Sequence, residues 1–325
     1  MKRVRLLFCL SCGAVVACPP LAAAPPSDPA PTPFVSTATI DDTLEVTGET
    51  LAAQRQRSRM TVGVMVDGQG PFQFLVDSGA DRTVIGANLA RRLALPAEDK
   101  VILHSMAGTS EVATVRIEQL GLGRSKLSEI IAPALPEQYL GAQGILGIDA
   151  LAEQRIEFDF DKKAITVQDA HAPVRGGADE IIVTARLRHG QLILTQVKTR
   201  NIGLYAIIDS GSDITVANSA LRDRLFRHWD RAKVTKIALL SVTGETFNAD
   251  MATIPELEVG GLTLTDVPVA FADPPPFQLF GLAKQPAILL GTDVLQVFRR
   301  VSLDFRGRKV RFRLRNRQEG LTITR

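Results

Sequence analysis

The chain has 325 residues, of which 45% are hydrophobic and 5% aromatic, and its formal net charge at pH 7 is +3. This hydrophobic share can fill one large core or two of ordinary domain size, which excludes a disordered chain. The whole net charge comes from three basic residues near the N-terminus, and the neutral remainder gives no support to nucleic-acid binding.

Residues 1–24 have the composition of an export signal peptide. Basic residues precede an apolar run at residues 6–17, and small residues follow. Two cleavage sites fit: one near residues 22–24, and a lipoprotein site before Cys18 that would place a lipid on this cysteine. No stretch reaches the roughly 18 apolar residues of a membrane helix. We therefore expect an exported protein, periplasmic or lipid-anchored in the cell envelope, whose mature chain has no integral membrane segment.

Residues 25–59 are predicted to form a flexible tether and an N-terminal arm. Residues 25–33 are rich in proline and too poor in hydrophobic residues to pack. Residues 43–59 mix alternating and charged positions, which fits either a strand followed by a short helix or an arm on the surface. The sequence leaves open whether this segment inhibits the protein as a pro-segment.

The rest of the chain contains an internal repeat. Residues 60–80 predict a strand, a tight turn and a second strand that leads into Asp-Ser-Gly-Ala, and residues 192–212 predict the same elements leading into Asp-Ser-Gly-Ser. A Leu-Gly pair ends at Gly147 in the first copy and at Gly291 in the second, and a pair of strands follows each. The repeat predicts a mostly β protein with short helices and two lobes.

The lobe boundary is predicted at residues 171–180, where Pro and paired Gly interrupt any periodicity. The first lobe is then residues 60–170 and the second is residues 181–325.

The two Asp-Ser-Gly turns contain the candidate catalytic residues. One such turn would be typical of a surface loop in which Asp bonds its own backbone. Two copies, each at the end of an apolar strand, instead predict that Asp77 and Asp209 meet across the interface of the lobes. Two adjacent carboxyls share a proton, so one serves as a base toward a water while the other serves as an acid.

Residues 74–80 and 206–212 resemble the active-site loops of pepsin-like and retroviral-type (retropepsin-like) aspartic peptidases, and the resemblance covers about residues 60–315. It implies the bilobal acid-protease fold, in which two β-barrel-like lobes are related by a pseudo-twofold axis, with catalytic Asp77 and Asp209. Both lobes lie in one chain here, so the resemblance allows a monomer. It also implies six residues that support the loops: Ser78, Gly79, Gly147, Ser210, Gly211 and Gly291.

The chain departs from the pepsin-like pattern at the flap. The two candidate flap turns, residues 105–109 and 241–245, contain no Tyr, and the chain has only Tyr139 and Tyr205. A glycine turn between alternating strands still predicts a hairpin over the cleft. The loops also differ from each other, because Ser212 stands where the first copy has Ala80. A hydroxyl that donates to a carboxylate lowers its pKa, so we expect Asp209 to be the ionised partner.

Other acids and the histidines are interpreted structurally. Asp149 and Asp293 are expected to cap short helices. Asp81 and Asp213 are expected to be solvent-facing turn acids, with tuning of the aspartate pair as the alternative. The four histidines lack the spacing of a metal site, so neither a metal nor another cofactor is predicted.

The sequence therefore predicts an aspartic-type endopeptidase that binds an extended peptide in the cleft between the lobes and needs no nucleic-acid partner. The alternative is a peptide-binding module on the same fold with little or no catalytic activity. The absence of a flap Tyr leaves room for this alternative, and substitution of either Asp by Asn distinguishes the two.

Overall fold

We analysed a computed structural model of the chain, which describes residues 59–123, 125–171, 180–226 and 234–315. Outside these ranges it describes the backbone of five short strands: β1 (Val4–Leu7), β2 (Thr39–Ile40), β3 (Glu49–Ala52), β4 (Gln54–Gln56) and, near the C-terminus, Ile323–Thr324. The arm predicted at residues 43–59 thus contains strands where it is described. The proline-rich tether, most of the predicted leader and most of the predicted linker lie outside the described residues.

The first half of the fold consists of strands with short helices between them. Its elements are β5 (Arg59–Val66), β6 (Gln69–Val76), β7 (Val84–Gly86), α1 (Ala87–Arg92), β8 (Ala97–His104), β9 (Thr109–Leu122), β10 (Ser125–Leu135), α2 (Glu137–Leu140), β11 (Gly144–Leu146), α3 (Ile148–Leu151), β12 (Gln154–Asp159) and β13 (Ala164–Asp169).

The second half repeats this order. Its elements are β14 (Glu180–Arg188), β15 (Gln191–Thr199), β16 (Ile202–Ile208), β17 (Val216–Ala217), α4 (Ser219–Leu225), β18 (Thr235–Leu240), β19 (Thr246–Val259), β20 (Leu262–Phe271), α5 (Pro275–Leu279), β21 (Ala287–Leu290), α6 (Thr292–Leu295), β22 (Arg300–Asp304), β23 (Lys309–Arg313) and β24 (Ile323–Thr324).

The two halves have the same sheet topology. The strand order β8-β9-β10-β7-β11-β6-β5 in the first matches β18-β19-β20-β17-β21-β16-β15 in the second. An extra pairing of β9 with β5, and of β19 with β15, curls each sheet back on itself. The structure therefore confirms the predicted all-β fold with two equivalent β-barrel-like lobes.

A shared sheet joins the lobes. The strand pairs that follow each barrel, β12–β13 and β22–β23, meet through antiparallel β12 and β22, and β14 extends the sheet beside β23. Two ion pairs cross the central seam: partly buried Arg300 to Asp159 at 2.7 Å, and buried Arg155 to Asp304 at 3.5 Å. Because backbone hydrogen bonds link the lobes, this sheet fixes one lobe relative to the other.

The strands that precede the two Asp-Ser-Gly turns run into the hydrophobic core. In β6 the exposed end is the N-terminal one, and its last three residues are buried, so the strand enters the core just before Asp77. The equivalent β16 also ends in three buried residues, ahead of Asp209. The largest buried cluster extends through both lobes, and each lobe has a smaller cluster on the side of its hairpin β8–β9 or β18–β19.

Within the described part of the chain, no helix has the length and hydropathy needed to cross a bilayer.

Candidate active site

Asp77 lies at the end of β6 and its side chain is fully buried. Its own N–H donates to the Leu146 carbonyl at 3.1 Å, which holds the backbone against β11. Its Oδ1 accepts the Gly79 N–H at 2.8 Å. The buried carboxyl is thus held in one position by its own turn.

Asp209 occupies the equivalent position at the end of β16 and is equally buried. Its N–H donates to the Leu290 carbonyl at 3.0 Å. Its Oδ1 accepts two N–H groups, those of Gly211 and Ser212, each at 3.1 Å. The second carboxyl is therefore also held in one position by the backbone donors of its own turn.

Ser78 and Ser210 interlock the two turns. The Ser78 N–H donates to the Ser210 hydroxyl at 2.9 Å, and the Ser210 N–H donates to the Ser78 hydroxyl at 3.0 Å. Each hydroxyl then donates across the lobes, Ser78 to the Ile208 carbonyl and Ser210 to the Val76 carbonyl, both at 2.9 Å. Four buried hydrogen bonds fix the spacing of the turns.

The two carboxyls meet at Gly211. A Cβ placed on Gly211 would lie 2.2 Å from the Asp77 Cγ, so no other residue fits at this position without moving the carboxyl. The Oδ2 atoms of both Asp77 and Asp209 are buried and have no hydrogen-bond partner among the residues that the structure describes. These two oxygens are the ones free to bind a reacting group.

Burial raises the pKa of both carboxyls. Burial and then the charge of Asp209 raise the pKa of Asp77 well above its ordinary value. Burial also raises the pKa of Asp209, to about 7. The N–H donors of Gly211 and Ser212, then Asp77 and Arg59, lower this pKa and so limit the rise. Both carboxyls thus hold a proton more readily than an exposed aspartate does, and two adjacent carboxyls that share one proton can supply one acid and one base in the same site.

Ser212 contacts Asp209 through its backbone and not through its side chain. Its hydroxyl donates to the Ile214 carbonyl at 2.8 Å. The predicted donation of this hydroxyl to Asp209 is therefore wrong, because the loop offers a closer backbone acceptor. Which aspartate is ionised stays a prediction, because burial raises the pKa of both carboxyls.

The two glycines that end β11 and β21 support the turns from behind. A Cβ on Gly147 would lie 2.4 Å from the Arg82 carbonyl carbon, and one on Gly291 would lie 2.7 Å from that of Ile214. Gly147 and Gly291 donate their N–H groups to the hydroxyls of Thr83 and Thr215. Direct contact with the loop backbone thus accounts for glycine at both positions.

Asp149 and Asp293 are not the predicted helix caps. The N-caps of α3 and α6 are Gly147 and Gly291, and neither makes a side-chain capping bond. Instead Asp149 accepts the Thr83 N–H and hydroxyl at 2.8–3.0 Å, and Asp293 accepts those of Thr215 at 2.6–2.9 Å. The expected structural role is right, but each acid lies inside the first turn of its helix and binds a threonine of the acidic loop, so it joins helix to loop. Asp293 also accepts the Val294 N–H of its own helix at 2.8 Å.

Asp81 and Asp213 are not solvent-facing turn acids either. Asp213 forms an ion pair with Arg59, with Nε 3.3 Å from Oδ2. Asp81 accepts a hydrogen bond from the side-chain amide of Gln191 at 2.5 Å, and burial raises its pKa well above the ordinary value. Each acid thus ties its loop to the other lobe.

Sequence reasoning missed Arg59 and Gln191 altogether. Both begin the first strand of their barrel, β5 and β15, and they are separated by the same 132 residues that separate Asp77 from Asp209. The constant spacing of the repeat, extended back to the start of each barrel, is the signal that pairs them.

The two predicted flaps are present as the hairpins β8–β9 and β18–β19, and their tips cross over the cleft. Met106 of the first tip is buried in the side cluster of the second lobe, and Val242 of the second tip is buried in that of the first lobe. The Ser105 and Thr243 hydroxyls lie 3.4 Å apart. A Cβ on Gly244 would be 2.4 Å from Cε2 of Tyr139, so a tyrosine does contact a flap, from α2.

Among the described residues, no group of three or more His, Cys, Asp or Glu side chains is arranged to hold a metal ion. The site as a whole consists of two carboxyls, backbone donors and hydroxyls. Such a set can polarise a carbonyl and take a proton from water.

Comparison with protein families gives two matches, one in each lobe. The family model for gag-polyprotein aspartyl proteases matches residues 62–153, and the model for aspartyl proteases matches residues 195–294. No curated protein matches the chain. The matches include the Asp-Ser-Gly turn and the supporting glycine of both barrels. The chain belongs to the retropepsin-like aspartyl protease family, with two tandem copies of the domain in one polypeptide.

Proposed function

We propose that this protein is an aspartic endopeptidase in which Asp77 and Asp209 activate a water molecule against a peptide bond. One observation carries the proposal: two fully buried carboxyls, each held through Oδ1 by its own turn, each leave Oδ2 without a partner in the described part of the chain. A buried carboxyl without a partner is costly to keep. Family membership supports a protease function in general.

The chemistry follows from the difference between the two carboxyls. The ionised Asp209 takes a proton from water, and the oxygen of that water attacks the carbonyl carbon of the substrate. Asp77 donates its proton to the carbonyl oxygen, so a tetrahedral diol forms without a covalent bond to the protein. Asp209 then gives its proton to the amide nitrogen while Asp77 takes the proton of a diol hydroxyl, so the carbon–nitrogen bond breaks into a carboxylic acid and an amine. Asp77 is again protonated and Asp209 ionised.

The flaps indicate how the substrate is bound. An extended peptide between the turns and the hairpin tips would lie beside β-strand edges, which offer main-chain N–H and C=O groups. Met106 and Val242 cross this space, so the flaps must move apart before a peptide enters. One chain supplies both turns, both flaps and the shared sheet, and we propose a monomer as the active form.

The function is tested by incubating the protein without residues 1–24 with a mixed peptide library from pH 3 to 8 and reading cleavage by mass spectrometry. Asp77→Asn and Asp209→Asn should each abolish cleavage while retaining peptide binding. Asp266→Asn is the matched control, because Asp266 is exposed within β20 at a positive φ of 54°, which Asn tolerates. Cleavage that persists in Asp77→Asn would refute the assignment, and peptide binding without cleavage by the wild type would establish the peptide-binding module instead.

We also propose that the protein acts outside the cytoplasm, on the basis of the signal-like composition of residues 1–24. The N-terminus of the protein recovered from cells decides between the two cleavage sites. A lipid-bearing Cys18 indicates the anchored form, a free N-terminus near residue 25 indicates the periplasmic form, and an uncleaved Met1 contradicts export by this signal.

A further inference from the structure

Arg59 and Gln191 form a pair of braces between the lobes. Arg59, at the start of the first barrel, donates through Nη1 to the Gly211 carbonyl at 3.4 Å and pairs with Asp213. Gln191, at the start of the second barrel, donates through Nε2 to the Gly79 carbonyl at 3.1 Å and to Asp81. Both side chains are buried. The braces are equivalent in position, but one carries a charge and the other does not.

The peptide group between Gly211 and Ser212 connects Arg59 to the aspartate pair. Its carbonyl accepts from the Arg59 guanidinium, and its N–H donates to the Asp209 Oδ1 at 3.1 Å. A donor on the carbonyl polarises a peptide group and makes its N–H a stronger donor, and a charged donor does so more than a neutral one. The equivalent peptide between Gly79 and Ala80 receives only the neutral amide of Gln191.

We propose that Arg59 is a positioning residue that makes Asp209 the ionised member of the pair: it polarises the Gly211–Ser212 peptide, whose N–H then holds the Asp209 carboxylate. This inference rests on the proposed function. It gives a structural reason for Asp209 to be the ionised partner, which the Ser212 hydroxyl does not provide.

Other ionisable groups around the pair do not provide this asymmetry. In the first loop, Asp81 faces Arg82 and Asp149. In the second loop, Asp213 pairs with Arg59, so that ion pair is neutral as a whole, but its positive end contacts the peptide beside Asp209. The flaps contribute buried His104 at the end of β8 and exposed Glu245 in the second turn. The charge of Arg59 lowers the pKa of both Asp77 and Asp209, and its contact with the Gly211 carbonyl is what favours Asp209 over Asp77.

Arg59→Gln provides a sharp test, because it copies the brace that Gln191 already forms in the other lobe. Glutamine keeps a donor for the Gly211 carbonyl and removes the charge. Arg59→Lys keeps the charge. Arg300→Gln is the matched control, since it breaks a partly buried Arg–Asp pair in the shared sheet, away from the turns.

The readout is carbon-13 NMR of labelled aspartate carboxyls from pH 3 to 9 in the full chain, with Asp77→Asn and Asp209→Asn to assign the signals. We expect the Asp209 carboxyl to titrate below that of Asp77 in the wild type. Arg59→Gln should raise the titration midpoint of Asp209 by roughly one pH unit and so narrow the difference between the Asp209 and Asp77 midpoints. Arg59→Lys should keep most of that difference. The acid limb of the kcat/KM profile should move by a similar amount.

The inference is overturned if Asp77 titrates first in the wild type, or if Arg59→Gln and Arg300→Gln give the same aspartate titrations. Because the NMR readout needs no turnover, it tests Arg59 even in a protein that cleaves nothing. A wild type without cleavage but with the expected titrations would refute the proposed function alone.

Discussion

Ser78 and Ser210 exchange hydrogen bonds in both directions, since each hydroxyl accepts the N–H of the other serine and donates to the carbonyl that precedes the other aspartate. The two strands that carry the carboxyls are thereby tied together directly beneath them. This arrangement links the stability of the lobe interface to the geometry of the site.

The first prediction concerns this interlock. Ser210→Ala removes the acceptor for the Ser78 N–H and the donor to the Val76 carbonyl, so two buried backbone groups lose their partner. We expect a loss of about 1–3 kcal/mol per unsatisfied group in the free energy of unfolding. We also expect a fall in kcat of about 10²-fold, because small displacements of reacting groups have effects of that size.

Ser210→Thr is the matched variant, because it keeps the hydroxyl, and it should recover most of both losses. Urea unfolding and steady-state kinetics measure the two effects. Equal losses of stability and kcat in Ser210→Ala and Ser210→Thr would show that the size of the side chain, and not its hydroxyl, matters at this position.

The second prediction concerns Gly211. A methyl group there would lie 2.2 Å from the Asp77 Cγ, so Gly211→Ala must push the carboxyl away from Asp209. We expect kcat to fall by at least about 10²-fold. Gly203→Ala serves as the control, since a Cβ on Gly203 of β16 meets nothing within 4 Å. Unchanged kinetics in Gly211→Ala would contradict the placement of Asp77.

The third prediction is a pH dependence of stability. The folded-state pKa of Asp209 is raised to about 7, so between about pH 4 and pH 7 the unfolded chain releases a proton that the folded protein keeps. The free energy of unfolding therefore falls as pH rises through this window. Asn cannot titrate, so Asp209→Asn should be more stable than the wild type at pH 7, by up to about 4 kcal/mol, and equal to it near pH 4.

Chemical unfolding of both proteins at several values between pH 4 and pH 7.5 checks this expectation. Two stability curves that run parallel across the window would show that Asp209 titrates alike in the folded and unfolded states. If Asp209→Asn is less stable than the wild type at pH 7, the Asp209 carboxylate of the wild type stabilises the fold.

The repeat made much of the fold and of the site predictable from the sequence. Asp77, Asp209 and the glycines behind them each follow a strand of the same pattern, and local pattern decides where a strand ends. The brace residues Arg59 and Gln191 were within reach too, because they keep the spacing of 132 residues.

What the sequence could not show depends on competition between nearby partners. Asp293 lies in the first turn of α6, and the sequence does not show that it also binds Thr215 of the acidic loop. The Ser212 hydroxyl could serve Asp209 or a carbonyl, and only the path of the loop decides between them. The crossing of the flap tips depends on how the lobes are oriented, which the shared sheet β12–β22 sets and which no local pattern records.

The last prediction concerns the flap tips. Val242 is buried against Leu75, Leu103 and other residues of the first lobe, so truncating it weakens the contact that keeps the second flap closed. We expect Val242→Ala to raise hydrogen exchange of the flap amides around residues 240–246 by about 10-fold or more, since a lost buried contact of this size costs about 1–2 kcal/mol. KM for a cleaved peptide should fall, because the substrate no longer has to displace a well-packed tip. Leu240→Ala is the control: its side chain is 56% exposed on the same hairpin, and both readouts should stay unchanged. Faster exchange combined with a higher KM would mean that the buried tip helps to hold the peptide, and the flap contact would then belong to the bound state as well as to the free one.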